Sequence, residues 1–201
     1  MGQIKKDIRS LIKLHGSKAN ARVEALKWYE SSLNTFRNNE VAKYGGRFTP
    51  GKIYVFRYET PVTEGLEWWD KNPIVLALDP HAGNEVGINL NLLPVELKET
   101  LLDDVHTRLM GQITTGSTRA PKNAKAQSGL NLTYDGAKRY LDRHGFGFAV
   151  RQYKPNLKGN QAVVSYENWA KIVLCNMMEM QGVTERMVRL MFRKYYNNKN
   201  I

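Results

Sequence analysis

Residues 3–14 place Ile4, Ile8, Leu11 and Ile12 at helical spacing, with Lys5, Lys6, Arg9 and Lys13 elsewhere on the cylinder. That periodicity predicts an amphipathic helix, broken at Gly16-Ser17. A second helix is predicted over residues 20–38. Val23, Leu26, Leu33 and Phe36 mark its apolar face, Trp28-Tyr29 lie in its middle, and Asn20 stands where an N-cap is wanted. Tyr44-Gly45-Gly46 closes this helical part.

The period changes after Pro50. Ile53, Val55 and Arg57 alternate with Tyr54, Phe56 and Tyr58, so both faces are largely apolar or aromatic, as in a strand covered on two sides. Pro61 to Gly65 reads as a loop. Pro73 to Leu78 forms a second strand, closed by Asp79-Pro80-His81-Ala82-Gly83-Asn84. Val86, Ile88, Leu90 and Leu92 alternate with Gly87, Asn89 and Asn91 and give a third. From Pro94 a helix runs to about Met110, with Leu97, Leu101, Val105 and Leu109 on one stripe. Residues 111–131 offer little to bury and read as a mobile basic loop. Tyr134 to His144 is a short helix stopped by Gly145. Residues 146–153 and 162–165 read as two further strands around a turn at Pro155 to Gly159. Trp169 to Met178 is expected as helix, and Thr184 as the cap of a last helix reaching Tyr196.

Five short strands in a helical frame predict an α+β fold. The sheet is either a small antiparallel one or its closed form, a five-stranded SH3-like barrel, which would remove the edges. The expected organisation is an N-terminal basic helical segment (1–46), a β-rich core with its following helix (47–110), the flexible loop (111–131), and strands with a basic helix (132–201) completing the same domain.

Charge sharpens this picture. The chain of 201 residues carries 30 Lys+Arg against 19 Asp+Glu, a formal net charge of +11. The balance is +6 over residues 1–50, −5 over 51–110 and +10 over 111–201. Cationic flanks around an acidic centre point to a polyanionic partner, most often nucleic acid. The one cysteine, Cys175, lies in an apolar run and is expected as a small buried hydrophobe in a chain with no internal disulfide. No apolar run has the length of a membrane span, so no membrane partner is expected.

No constellation for chemistry stands out. His15, His81, His106 and His144 are far apart and none has a ligand-like neighbour, so neither a metal site nor a cofactor is expected. Phosphate-loop, dinucleotide and nucleophile-elbow motifs are missing, and no enzymatic activity is expected. Trp68-Trp69-Asp70 is an unusual step. Paired tryptophans can stack on unpaired bases, but an acidic surrounding repels phosphate and favours their packing in the fold. Asn89 and Asn91 are expected on the polar outer face of their strand.

Arg186, Arg189 and Arg193 fall at i, i+3 and i+7 of the last helix, with Lys194 beside them. A row of this kind can span successive phosphates, because guanidinium groups grip them with two hydrogen bonds; its plainer reading is a solvated face. Lys5, Lys6 and Arg9 near the N-terminus, and Arg119, Lys122 and Lys125 in the mobile loop, are DNA-contact candidates of the same kind.

Four segments carry a family resemblance: PGKIYVFRY from Pro50, LEWWD from Leu66, PIV from Pro73 and GINLNLLP from Gly87. Their order and spacing resemble the G-x-x-Y-x-F-x-Y, L-x-Y-Y-D-x-x-P-L and G-x-N-L-H-Y-L-P pattern of the DNA end protector proteins of T4-type tailed bacteriophages. Trp28-Tyr29, Lys138-Arg139-Tyr140-Leu141 and Trp169 echo it more weakly. Trp68 and Trp69 replace the usual tyrosines, and Asn91-Leu92 replaces the usual His-Tyr. The resemblance implies a head-completion protein of the virion, present in the host cytoplasm during assembly and after injection. It would bind the ends of packaged double-stranded DNA and shield them sterically from exonuclease. A structural neck, portal or tail protein, touching portal or neck partners, and a small nuclease built on the barrel are the alternatives.

Overall fold

A computed structural model describes residues 2–38, 46–58, 68–70, 72–115, 132–154, 158–175 and 180–182, together with residue 190. Helices α1 (Gln3–Leu14) and α2 (Lys18–Asn38) lead into strands β1 (Ile53–Tyr58), β2 (Trp68–Asp70), β3 (Ile74–Ala77) and β4 (Glu85–Asn89). Helices α3 (Val95–Thr115) and α4 (Tyr134–Asp142), strands β5 (Val150–Tyr153) and β6 (Lys158–Val164), helix α5 (Trp169–Leu174) and strand β7 (Met180–Gly182) follow.

Five strands form one antiparallel sheet in the order β5-β4-β3-β1-β6. The α+β expectation holds. The closed SH3-like barrel does not appear: among the described residues no ladder joins β5 to β6, and the sheet is open. β2 and β7 pair apart from it as a two-stranded ribbon that periodicity did not indicate. The Trp68 and Trp69 side chains lie outside the described residues, as do the predicted loop at 61–65, the basic loop beyond Thr115 and the last helix except residue 190.

Pairing register explains why both faces of β1 are apolar. Val164, Ile53, Leu76, Ile88 and Val150 are successive cross-strand partners, so they form one row across all five strands. This face meets the helices, and its core draws on Ile4 and Ile8 of α1, Leu97 and Leu101 of α3, Leu141 of α4 and Ile172 of α5. The opposite face carries Tyr54, Phe56, Val75, Ala77 and Tyr153, closed over by Phe48. Phe56 and Tyr153 rings lie 5.3 Å apart although their strands are three steps apart in the sheet. A flat sheet would separate them by about 14 Å. The sheet is therefore strongly curled around an aromatic plug. Gly87 permits the curl: a Cβ there would meet Val75 Cγ1 at 2.1 Å and Leu76 O at 2.9 Å. A buried Lys158–Glu85 ion pair links β6 to β4 across the same hollow, with Glu85 Oε1 accepting the Phe48 N–H at 2.9 Å.

Three details correct the sequence reading. Ser17, not Asn20, caps α2: its hydroxyl accepts the Asn20 N–H at 3.1 Å, and the helix begins two residues earlier. The buried stripe of α2 is Ala21, Ala25 and Tyr29, whereas Val23 is 49% exposed; small residues let α2 approach α5 closely. Asn89 and Asn91 are 3% and 1% exposed rather than on an outer face. Asn89 Oδ1 accepts the Asn91 N–H at 3.0 Å, and Asn91 Nδ2 donates to Asn72 O at 3.3 Å. Their amides satisfy backbone where β4 ends in a 3-10 turn, since strand alternation stops at Asn89.

Candidate nucleic-acid interface

Helix α1 presents the best-defined cationic face. Ile4 and Ile8 are buried, and Leu11 and Ile12 pack against the same core. The opposite side is left to Lys6, Arg9 and Lys13, all exposed. They fall at i, i+3 and i+7 and so share one side over about 10 Å of helix. None pairs with a carboxylate among the described residues. Lys5 differs: its Nζ lies 3.2 Å from Glu99 of α3.

The acidic centre of the sequence here acquires a structural role. Asp103 of α3 reaches the start of α1, where its Oδ1 accepts the Ile4 N–H at 2.7 Å. It replaces the side-chain cap that Gly2 cannot supply. Gly2 in turn makes room, because a Cβ there would meet Asp103 Oδ2 at 2.0 Å. Glu99 and Asp103 thus fix α1 from its inner side, and among the described residues the cations facing outward keep their charge unpaired. Tyr166 sits at the same junction, stacked on His106 at 4.4 Å and hydrogen-bonded to Asp7 at 3.5 Å. Burial, then the charges of Asp7 and Asp103, pushes its phenol up to about 12, so it stays protonated.

A second basic face lies on α4. Thr133 caps this helix, with its Oγ1 accepting the Gly136 N–H at 3.2 Å. Lys138 and Arg139 are exposed on it, and Arg143 is exposed at its C-terminal cap. Lys138 Nζ lies 5.8 Å from the Tyr134 ring centre, and the Arg143 guanidinium 5.7 Å from that of Tyr140.

Of the predicted contact residues, the structure brings together Lys6 and Arg9, with Lys5 beside them in its ion pair. Arg119, Lys122 and Lys125, and Arg186, Arg189, Arg193 and Lys194, lie outside the described residues. Sequence reasoning missed Lys13 as a contact candidate, although it completes with Lys6 and Arg9 the same spacing noted in the last helix. It also missed the α4 cations, which the family echo at Lys138-Arg139 touched without assigning a role. Among the described residues no group of three or more His, Cys, Asp or Glu side chains is arranged to hold a metal ion, and no helix is long and apolar enough to cross a membrane.

Exposed basic faces on α1 and α4 suit a polyanionic partner. The family model described as Phage T4 terminal DNA protecting protein matches residues 1–198. The chain belongs to this family. The match covers both basic flanks and the acidic centre, so the resemblance noted over the central segments extends to nearly the whole chain. Comparisons with curated proteins and with solved structures return no match. Protection of DNA ends is the family's general function, and binding to DNA follows from it.

Proposed function

We propose that this member of the family caps the ends of packaged linear double-stranded DNA in the virion and shields them by occupying the terminus. No bond is made or broken; a protein seated on the end denies a nuclease its entry point. Membership of the family across residues 1–198 carries this reading. The exposed Lys6–Arg9–Lys13 row supports it as a phosphate-contacting face. Arg119, Lys122, Lys125, Arg186, Arg189, Arg193 and Lys194, and Lys5 beside the row, are proposed as further phosphate contacts on the strength of their charge and spacing in the sequence. Dispersed cations without a base-reading motif bind duplex DNA largely independently of sequence.

The test is a nuclease challenge. Linear duplex is mixed with enough protein to saturate its ends but not to coat its length, and a processive exonuclease is added. The proposal expects intact strands with the protein and rapid digestion without it. Digestion at the rate of naked DNA rejects capping. Cleavage of the duplex by the protein itself, with or without a divalent metal, replaces capping by a nuclease activity.

A further inference from the structure

The hairpin between β3 and β4 is built around an unusual turn. His81 and Asn84 exchange backbone hydrogen bonds at 3.1 and 3.0 Å. The two residues between them both have positive φ, Ala82 at 49° and Gly83 at 77°. This is a type I′ turn, and glycine serves its second position well. Alanine at the first is a strained choice, because its Cβ opposes the left-handed region. Ala82 is the one non-glycine with positive φ among the described residues.

What the turn holds in place is a ring. His81 stacks on Tyr134, the first residue of α4, with centroids 4.6 Å apart and planes 19° from parallel. Lys138 lies against the same tyrosine. Two ties fix the platform: the Asp79 N–H donates to Leu132 O at 2.8 Å, and Asn84 Nδ2 donates to Gln152 Oε1 of β5 at 3.3 Å. Hairpin and helix therefore hold their rings together before any ligand arrives. His81 is only half-buried at an exposed hairpin tip and makes no second ring stack among the described residues. Asp79, two residues before His81, and Asp135, next to Tyr134 in the chain, are both exposed. Lys138, held over the Tyr134 ring, sets a cation beside those carboxylates, so the ring pair does not stand in a uniformly acidic surround.

We infer that the His81–Tyr134 ring pair, pinned by the Ala82 turn, is the platform on which the terminal base pair of duplex DNA stacks. This rests on the end-capping reading above and supplies its selectivity. Inside a duplex every base face is covered by its neighbour; only an end exposes one. Ring stacking accepts any base pair, so it distinguishes ends from interior without reading sequence. The cationic row of α1 holds backbone wherever it lies, and the platform decides that it lies at an end.

The test compares His81→Ala and His81→Phe with the parent protein, on a blunt linear duplex and on a covalently closed circle of the same sequence. 2-Aminopurine is placed at the terminal or at a central position of the duplex. His81→Ala should lose about tenfold in affinity for the linear duplex, the scale of one lost base stack. Its affinity for the circle should be unchanged. His81→Phe should restore end binding, and only the terminal fluorophore should respond to the parent. If His81→Ala keeps the parent's preference for linear DNA, the platform is overturned while end capping stands. If the parent itself does not prefer linear over circular DNA, both fall together. Equal loss on the two substrates also overturns the platform, since it would make His81 a general contact.

Discussion

Replacing Lys98 with Met would remove a cation from the junction of α2, α3 and α5. Lys98 is 2% exposed, and its Nζ donates to the carbonyl of Cys175, the residue capping the C-terminal end of α5, at 2.5 Å. No carboxylate pairs with it among the described residues. Burial pushes its ammonium down from the ordinary 10.5 to about 8, partly restored by Cys175 and lowered further by Arg22. The fold therefore carries a charged lysine at pH 7 that it would hold better neutral. At ~1.4 kcal/mol for each pH unit between the two values, the handicap is roughly 3 kcal/mol. Methionine fills similar volume but leaves the Cys175 carbonyl unpaired, which costs about 1–3 kcal/mol. At pH 7 the two changes nearly offset, and the variant should match the parent or exceed it by up to ~2 kcal/mol.

The pH dependence is more decisive. The folded value lies below the unfolded one, so above pH 8 the unfolded chain keeps a proton that the fold has shed. Stability of the parent then rises with pH until the unfolded lysine also titrates near 10.5. Between pH 7 and 9 the parent should gain about 1 kcal/mol on the variant. Cys175 works in the opposite sense: burial raises its thiol from 9.0 to about 11, so its contribution is present below pH 9 and lost above. Keeping to pH 9 and below, and taking the difference between two chains that both carry Cys175, isolates the lysine. Urea unfolding midpoints across that range give the measurement. Stability curves that run parallel from pH 7 to 9 would refute the reasoning. So would a variant that loses 3–5 kcal/mol at pH 7, because that is the signature of a satisfied ion whose partner has been stranded.

Asp103→Ala removes the cap that α3 lends to α1; it should cost ~1–2 kcal/mol and lower the melting temperature by about 2–8 °C by calorimetry. Gly87→Ala forces a Cβ against the Leu76 carbonyl and should cost ~1–3 kcal/mol in denaturant unfolding; an unchanged midpoint would mean that the curl does not depend on this glycine. Lys6, Arg9 and Lys13 exchanged together for Gln should leave thermal stability nearly unchanged, weaken duplex binding and reduce the slope of log affinity against log salt by about three. Arg186, Arg189 and Arg193 exchanged for Gln should act likewise, and parental DNA binding by that variant would remove them from the contact surface.

Much of the fold was legible from local pattern. Gly16 and Gly145 end helices at positive φ, Pro50-Gly51 opens β1 through a turn, and alternation from Ile53 and from Val86 marks strands. These signals are carried by neighbours in sequence, so no tertiary information is needed to read them. The α1 cations were legible too, because an amphipathic helix declares both faces at once. The reading failed where distant residues intervene. Asp103 caps α1 across 99 positions, and no local spacing announces it. Asn89 and Asn91 looked like an outer face because alternation cannot tell water from a second buried layer. Val23 looked buried because it is apolar, whereas the close approach of α2 to α5 favoured Ala21 and Ala25.

The sequence alone determined helices α1 to α5, the five sheet strands and the segregation of charge, since each follows from propensity, period or composition within a short window. Tertiary structure decided that the sheet stays open while curling around Phe48, Phe56 and Tyr153. It also decided that acidic α3 holds basic α1, and that His81 meets Tyr134. Each of these joins residues far apart in the chain, and their contact depends on strand order and on which side chains leave room, which no local pattern encodes.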